Sequence, residues 1–221
     1  MGLGRFSVIL CLTAACPAAL QASTRPTADT AGTEQVECEP ATFSSLPCRF
    51  VLAETTLEVS RAGQLRRYSL GKSAASVQLP LEKGFTVDAI LYGMYSKDLV
   101  LVYEVSDGEV GFGYVARLRL KNLMLKWWTS LPAFNLSLGA IEDRYLYQAG
   151  FGFVAKLDLN TGRFAWKHDG LYDRAHSSFN SFRRPEVGRG EVVFREEPTY
   201  AANGPPRSIR VDKTSGRFQK E

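Results

Sequence analysis

Two histidines and the aspartates near them are the first residues that could do chemistry. His168 is followed by Asp169, and His176 comes three residues after Asp173. Imidazole and carboxylate groups are common zinc ligands, but these spacings match none of the usual zinc motifs. We therefore predict an exposed loop around residues 167–174, with no metal site.

Two glycine-containing segments have the outline of nucleotide-binding loops. GFGYVA at 111–116 and GFGFVA at 150–155 both fit the pattern G-x-G-x-x-A. A dinucleotide site needs a strand before this pattern and a helix after it. Here the following residues, VARLRL and VAKLDL, are typical of strands. The sequence therefore predicts hairpins at both places and no bound cofactor.

Other catalytic chemistry has little support in the 221 residues. The sequence contains no G-x-S-x-G elbow, and spacing alone pairs none of its carboxylates for acid–base work. The arginines between 183 and 195 are interleaved with glutamates, which is typical of a solvated surface. A formal net charge of +4 is too small to favour nucleic acid or an anionic membrane as the partner. We expect a protein that is not an enzyme.

The elements that carry these residues are repeated along the chain. GFGYVARLRL at 111–120 and GFGFVAKLDL at 150–159 match without a gap at an offset of 39 residues. The same offset aligns Trp127 with Trp166. A unit of about 40 residues with about four short strands has the size of one propeller blade.

A third unit and a degenerate first unit extend the repeat. Asp212 and Gly216 follow Asp158 and Gly162 at an offset of 54 residues, and the additional residues fall in a loop rich in proline and glycine. Period-two alternation and the absence of amphipathic helical stretches indicate β-sheet. We predict an all-β domain over 51–221 with about four blade-like units, as a small closed propeller or as an open arc completed by a second chain.

The segment DLNTGRFAW carries a specific signature. It resembles the tryptophan-docking repeat of quinoprotein-type β-propellers, with the consensus A-x-D-x-x-T-G-K/R-x-x-W. The matching residues are Asp158, Thr161, Gly162, Arg163 and Trp166. Lys156 stands where alanine is usual.

The physical interpretation of the signature is structural. Asp158 and Thr161 belong to a hairpin turn, and Gly162 supplies the positive φ that the turn needs. The large indole of Trp166 then packs between blades. Trp127 has the same role in the preceding copy. The third copy keeps Asp212 and Gly216.

The resemblance also bears on cofactors. Quinoprotein dehydrogenases hold their cofactor with adjacent cysteines and acidic residues that bind calcium, and the part of this sequence after residue 22 has no adjacent cysteines. The same repeat builds non-enzymatic scaffolds, such as bacterial outer-membrane assembly lipoproteins. We therefore expect no cofactor.

The N-terminal residues resemble a secretory signal peptide. A short basic start precedes the apolar run FSVILCLTAA, and small residues before position 22 suit cleavage after Ala22. The run is too short to span a bilayer. Alternatively, TAAC resembles a lipoprotein processing site at which Cys16 would carry lipid. We expect a periplasmic or secreted protein, with an outer-membrane lipoprotein as the alternative.

Two cysteines remain after the signal segment. Cys38 and Cys48 would both lie in an oxidising compartment, where cysteines commonly pair. A metal pair would lack further ligands nearby. We predict a disulfide that holds the N-terminal linker, residues 23–50.

Trp128 is the candidate partner-binding residue. It comes directly after Trp127, so on a strand it points to the opposite face. Exposed tryptophan is enriched at binding hot spots, although burial under the N-terminal segment is an equal alternative. We predict a binding or scaffolding module for a protein partner, with a homodimer as one option. The alternatives are an immunity or inhibitor protein against a periplasmic toxin, or a hydrolase with carboxylates in the propeller funnel.

Overall fold

The computed structural model describes residues 36–37, 48–171, 181–197 and 206–219. All of them belong to one compact unit, residues 33–221. The predicted signal segment 1–22 and both Cys16 and Cys38 lie outside the described residues.

The described residues form strands and no helix. The strands are β1 Val36–Glu37, β2 Cys48–Leu52, β3 Thr55–Val59, β4 Gln64–Ser69, β5 Lys72–Gln78, β6 Thr86–Tyr95, β7 Asp98–Ser106, β8 Gly111–Arg119, β9 Met124–Leu131, β10 Ala140–Glu142, β11 Tyr145–Gly150, β12 Phe153–Asp158, β13 Arg163–His168, β14 Glu186–Val187, β15 Glu191–Arg195 and β16 Ser208–Asp212. Within this part of the chain, no segment could cross a membrane as a helix.

The strands form four antiparallel sheets in sequence order, which we call blades. Blade 1 is β2–β5, blade 2 is β6–β9, blade 3 is β10–β13 and blade 4 is β14–β16. β1 adds to blade 2 by pairing with β6, and a bridge between Val211 and Phe218 begins a fourth strand of blade 4. The all-β fold with about four blade-like units, as predicted, is confirmed.

Three hydrophobic clusters join neighbouring blades, one between each consecutive pair. Strand β7 shows how the sequence produces them. Its run LVLVY is apolar on both faces because Leu99 and Leu101 pack on the blade 1 side, whereas Val100 and Val102 pack on the blade 3 side. The described residues form no such cluster between blade 4 and blade 1.

Among the described residues, the outer faces of the first and last blades carry charged side chains. On blade 1, Glu58 lies on the face opposite Leu57 and binds Arg49 at 2.6 Å. On blade 4, two ion pairs cover the face turned away from blade 3; they are Arg195–Glu186 at 2.7 Å and Arg210–Glu191 at 2.8 Å. A polar outer face is typical of a terminal unit in a repeat array.

The blades have two different ends, the turn end and the loop end. The turn end carries short turns, including those at 96–97, 120–123, 143–144, 159–162 and 213–217. The loop end carries the links between blades and the remaining hairpins, including 60–63, 79–85, 107–110, 132–139 and 151–152.

Candidate functional site

Trp127 of blade 2 docks on the turn at 159–162 of blade 3, which carries the repeat signature. Its indole Nε1–H donates to the carbonyl oxygen of Leu159 at 3.0 Å. Gly162 has φ +71°, and a β-carbon there would come within 2.6 Å of ring atom Cδ2 of Trp127. The glycine therefore serves both the turn and the close approach of the ring.

Trp166 of blade 3 makes the equivalent contact with blade 4. Its Nε1–H donates to the carbonyl oxygen of Lys213 at 3.3 Å, and its side chain is buried. Gly216 has φ +73°, and a β-carbon there would lie 2.6 Å from ring atom Cγ of Trp166. The same docking geometry thus recurs at two successive blade interfaces.

The aspartates of the signature hold the turns. The Asp158 carboxylate accepts the N–H of Asn160 at 2.7 Å, and the Asp212 carboxylate accepts the N–H groups of Thr214 at 3.1 Å and Ser215 at 2.6 Å. In the first turn, the Thr161 hydroxyl accepts the N–H of Arg163. These contacts are all local, so the signature residues shape the turns on which tryptophan docks.

Sequence reasoning missed two cations that accompany the tryptophans. The Arg117 guanidinium donates to the Leu159 carbonyl at 2.7 Å, and the Lys156 ammonium donates to the Lys213 carbonyl at 2.7 Å. Burial lowers the pKa of Lys156, which also lies 4.0 Å from the centre of the Tyr145 ring. Their spacing of 39 residues was the available signal, because it places a basic residue at the same position of both repeats.

Asp98 joins this network at the turn end of blade 2. Its carboxylate accepts from Arg117 Nε at 2.7 Å and Lys126 Nζ at 2.6 Å. Burial raises the pKa of Asp98, but the hydrogen bonds from Lys126 and Arg117 outweigh this effect and hold the pKa below its ordinary value. Asp98 therefore stays ionised and anchors both cations.

The interface between blades 1 and 2 lacks this docking arrangement. Leu123 occupies the turn position that Gly162 holds in blade 3, with φ +55° and its side chain buried. On the blade 1 side, Ala75 takes the strand position that corresponds to Trp127. Both residues pack in the same hydrophobic cluster. Aliphatic side chains thus take the positions at which the other interfaces have a tryptophan and a glycine.

His168 takes part in blade docking. Its Nε2 lies 2.6 Å from the carbonyl oxygen of Gly216, and its ring packs on Phe218 with centroids 4.2 Å apart. His176 lies outside the described residues. Within the described ranges, no group of three or more histidine, cysteine, aspartate or glutamate side chains could hold a metal ion.

Trp128 lies on the face of β9 opposite Trp127 and is 50% exposed. Its ring meets Tyr114 edge-on, with centroids 5.5 Å apart, and Tyr114 packs on Phe112 at 5.2 Å. Phe85 lies 5.0 Å beyond Phe112. We call these four side chains the aromatic row. Trp128 is its exposed end.

A pocket of about 410 Å³ lies towards the loop end, between blade 2, the link 132–139 and residues beside the strands of blade 4. Glu104 lines it and accepts the backbone N–H of Leu136. Burial raises the pKa of the Glu104 carboxyl above its ordinary value, and the charge of Asp88 adds to this effect. The described residues that line the pocket include one further carboxylate, Glu197.

Of the two cysteines in the predicted disulfide, Cys48 lies among the described residues. Cys48 begins β2, is partly buried and packs against the cluster between blades 1 and 2. Because Cys38 lies outside the described residues, the disulfide between the two stays a prediction.

No family model matches the chain, and no curated protein matches it. Among solved structures, BamB from Moraxella catarrhalis is 16% identical over 85% of this chain and 49% of its own, with a TM-score of 0.47. Quinohemoprotein alcohol dehydrogenase ADHIIG from Pseudomonas putida HK5 is 13% identical over 77% and 33%, with a TM-score of 0.48. A chain of the Mitotic Checkpoint Complex is 10% identical over 79% and 50%, with a TM-score of 0.49. This chain therefore spans at most half of the length of each of these three.

Proposed function

We propose that this protein is a secreted, non-catalytic binding module that recognises a protein partner through the surface around Trp128. The observation that carries the proposal is the contrast between adjacent tryptophans. Trp127 is docked on the next blade, whereas half of Trp128 is exposed. Tryptophan is enriched at binding hot spots because its large apolar area stabilises a complex when it is desolvated.

The aromatic row supports this role by holding the indole in place. Trp128 rests edge-on against Tyr114, which is buried and in turn contacts Phe112. A side chain that is already ordered loses little conformational entropy when a partner covers it. The exposed indole of Trp128 is therefore preorganised for binding.

Secretion is supported by the signal-peptide pattern of residues 1–22. Processing after Ala22 would release the protein into the periplasm or the medium. Processing at Cys16 would instead leave it on a lipid anchor. In both cases the blades would meet partners outside the cytoplasm.

Capture from periplasmic extract tests the binding role. Immobilised wild-type protein, Trp128→Ala and Met124→Ala would be compared, because Met124 is also exposed on β9, at 44%. We expect a protein that is retained by wild type and by Met124→Ala and is lost from Trp128→Ala. Equal retention by all three proteins would count against the Trp128 surface.

A further inference from the structure

The pocket between blade 2 and the residues beside blade 4 is large enough for a small ligand. Its volume of about 410 Å³ falls within the roughly 300–1,000 Å³ of typical ligand sites. Blade 2 contributes strand residues, including Leu91 and Glu104, and the link after β9 contributes residues 135–138. Blade 4 contributes residues 181–184 and Glu197. A ligand here would contact blade 2, the link that follows it and residues beside the strands of blade 4.

The walls combine an apolar surface with a pair of cations. Leu136 and Leu138 supply apolar area, and the adjacent Arg183 and Arg184 supply two guanidinium groups. In a small-molecule site, such polar groups orient the ligand while apolar side chains contact its body.

The two arginines differ from others in blade 4. Arg195, Arg207 and Arg210 each pair with a glutamate, at 2.7, 2.5 and 2.8 Å. Arg183 and Arg184 form no ion pair with any described residue, and both are exposed. Their charges are therefore available to an anion that enters the pocket.

The pocket lining also holds two carboxyl groups, those of Glu197 and Glu104. The guanidinium groups of Arg183 and Arg184 lie exposed at the same pocket. Burial raises the pKa of Glu104 and so favours its neutral form, which could also donate a hydrogen bond. Arginine suits carboxylate in particular, because its planar group can donate two parallel hydrogen bonds to the two oxygens.

We propose that this pocket binds a small organic carboxylate, whose anionic group pairs with Arg183 and Arg184 while its apolar body packs on Leu136 and Leu138. The site is separate from the Trp128 surface. It requires neither a partner at Trp128 nor a catalytic step.

Hexanoate is a suitable probe, and hexanamide, which has the same apolar body without the charge, is its matched control. The full chain would be titrated with each compound while two-dimensional NMR follows the amide signals. We expect hexanoate to shift the signals of Leu136, Phe182 and Arg183 in a saturable way. Hexanamide should shift them at least tenfold more weakly at equal concentration.

Substitutions locate the site and separate the two sources of a carboxylate. Arg183→Gln with Arg184→Gln should weaken hexanoate binding at least tenfold, whereas Arg189→Gln, which alters an exposed arginine outside the pocket lining, should leave it unchanged. A hexapeptide with a free C-terminal carboxylate, compared with its amidated form, shows whether a peptide can supply the same group.

Two results would overturn the proposal. One is equal shifts from hexanoate and hexanamide, which would show that charge plays no part. The other is equal loss of hexanoate binding in the Arg189→Gln protein and in the double variant, which would show general attraction to a basic surface. Because both arginines are exposed, the unchanged remainder of each NMR spectrum would establish that the variants are folded.

Discussion

The turn end and the loop end of the blades differ in how some of their polar groups are partnered. At the turn end, the indole N–H groups of Trp127 and Trp166 reach carbonyl oxygens of the next blade, and Asp98 binds two cations. At the loop end, Arg183 and Arg184 have no carboxylate partner among the described residues, although they line a pocket.

This difference indicates that the two ends of the blades have different roles. The turn end repeats the same contacts between blades 2 and 3 and between blades 3 and 4, so its residues contribute to stability. The loop end has links and hairpins of unequal length, and loops that a rigid scaffold positions are common places for binding residues. Substitutions at the turn end should therefore change unfolding, and those at the loop end should change binding.

The largest effect is expected at the docked tryptophans. Trp166→Ala should lower the free energy of unfolding by roughly 3–5 kcal/mol, as truncation of a buried aromatic does, and Trp127→Ala should act in the same direction. Trp128→Ala removes the same atoms from an exposed position and should cost less than about 1 kcal/mol. Urea unfolding of the three variants measures this. If Trp128→Ala were the most destabilising, the docking contacts would not be the main support of the blades.

A smaller effect should come from the glycine beneath Trp127. Gly162→Ala places a β-carbon against the indole at a φ of +71°, whereas Gly71→Ala meets nothing within 4 Å at a φ of +75°. Because the backbone strain is similar, the difference between the two variants reports the contact with the ring, and should be about 1–3 kcal/mol. Equal urea midpoints would show that the ring moves aside freely.

The smallest effect, about 1.4 kcal/mol per unit of pKa shift, should separate two carboxyls on strand β7. The pKa of Asp98 is lowered in the folded state, so its stabilisation is present above about pH 4 and is lost as the pH falls through the folded pKa. The pKa of Glu104 is raised, so its contribution is full below about pH 4.3 and is lost as the pH rises through the folded pKa.

Urea midpoints measured between about pH 2 and 8 check both signs. Asp98→Asn should reduce the loss of stability on the acid side. Glu104→Gln should reduce the loss that begins above about pH 4.3. If both variants changed stability on the same side of the pH profile, the opposite pKa shifts of Asp98 and Glu104 would be refuted.

The blade repeat was predictable because its contacts are local in sequence or recur at a fixed spacing. The turns around Gly162 and Gly216 show their geometry in a few adjacent residues, and an offset of 39 aligns Trp127 with Trp166. Period-two alternation then indicates the strands between them. Fold class and blade number follow from such signals.

The pocket and the carbonyl partners of the docked cations were beyond this reasoning. Arg117 and Lys156 alternate with apolar residues and so look like solvent-facing positions, yet their partners are carbonyl oxygens 42 and 57 residues away in the chain. Glu104 lies in blade 2 and Arg183 lies beside the strands of blade 4, and the two do not occupy equivalent positions of the repeat. Only the packing of the sheets brings such residues together.

The ion-paired faces of blades 1 and 4 bear on how copies of the chain meet one another. A stack of similar units with apolar ends could add further copies head to tail, and a contact of that kind, which does not close on itself, grows into a fibre. Here an incoming copy would have to strip water from Arg49 at one end, or from the ion pairs of blade 4 at the other. Desolvating charge is costly unless new partners replace the water. The terminal faces therefore act as a barrier to open-ended polymerisation.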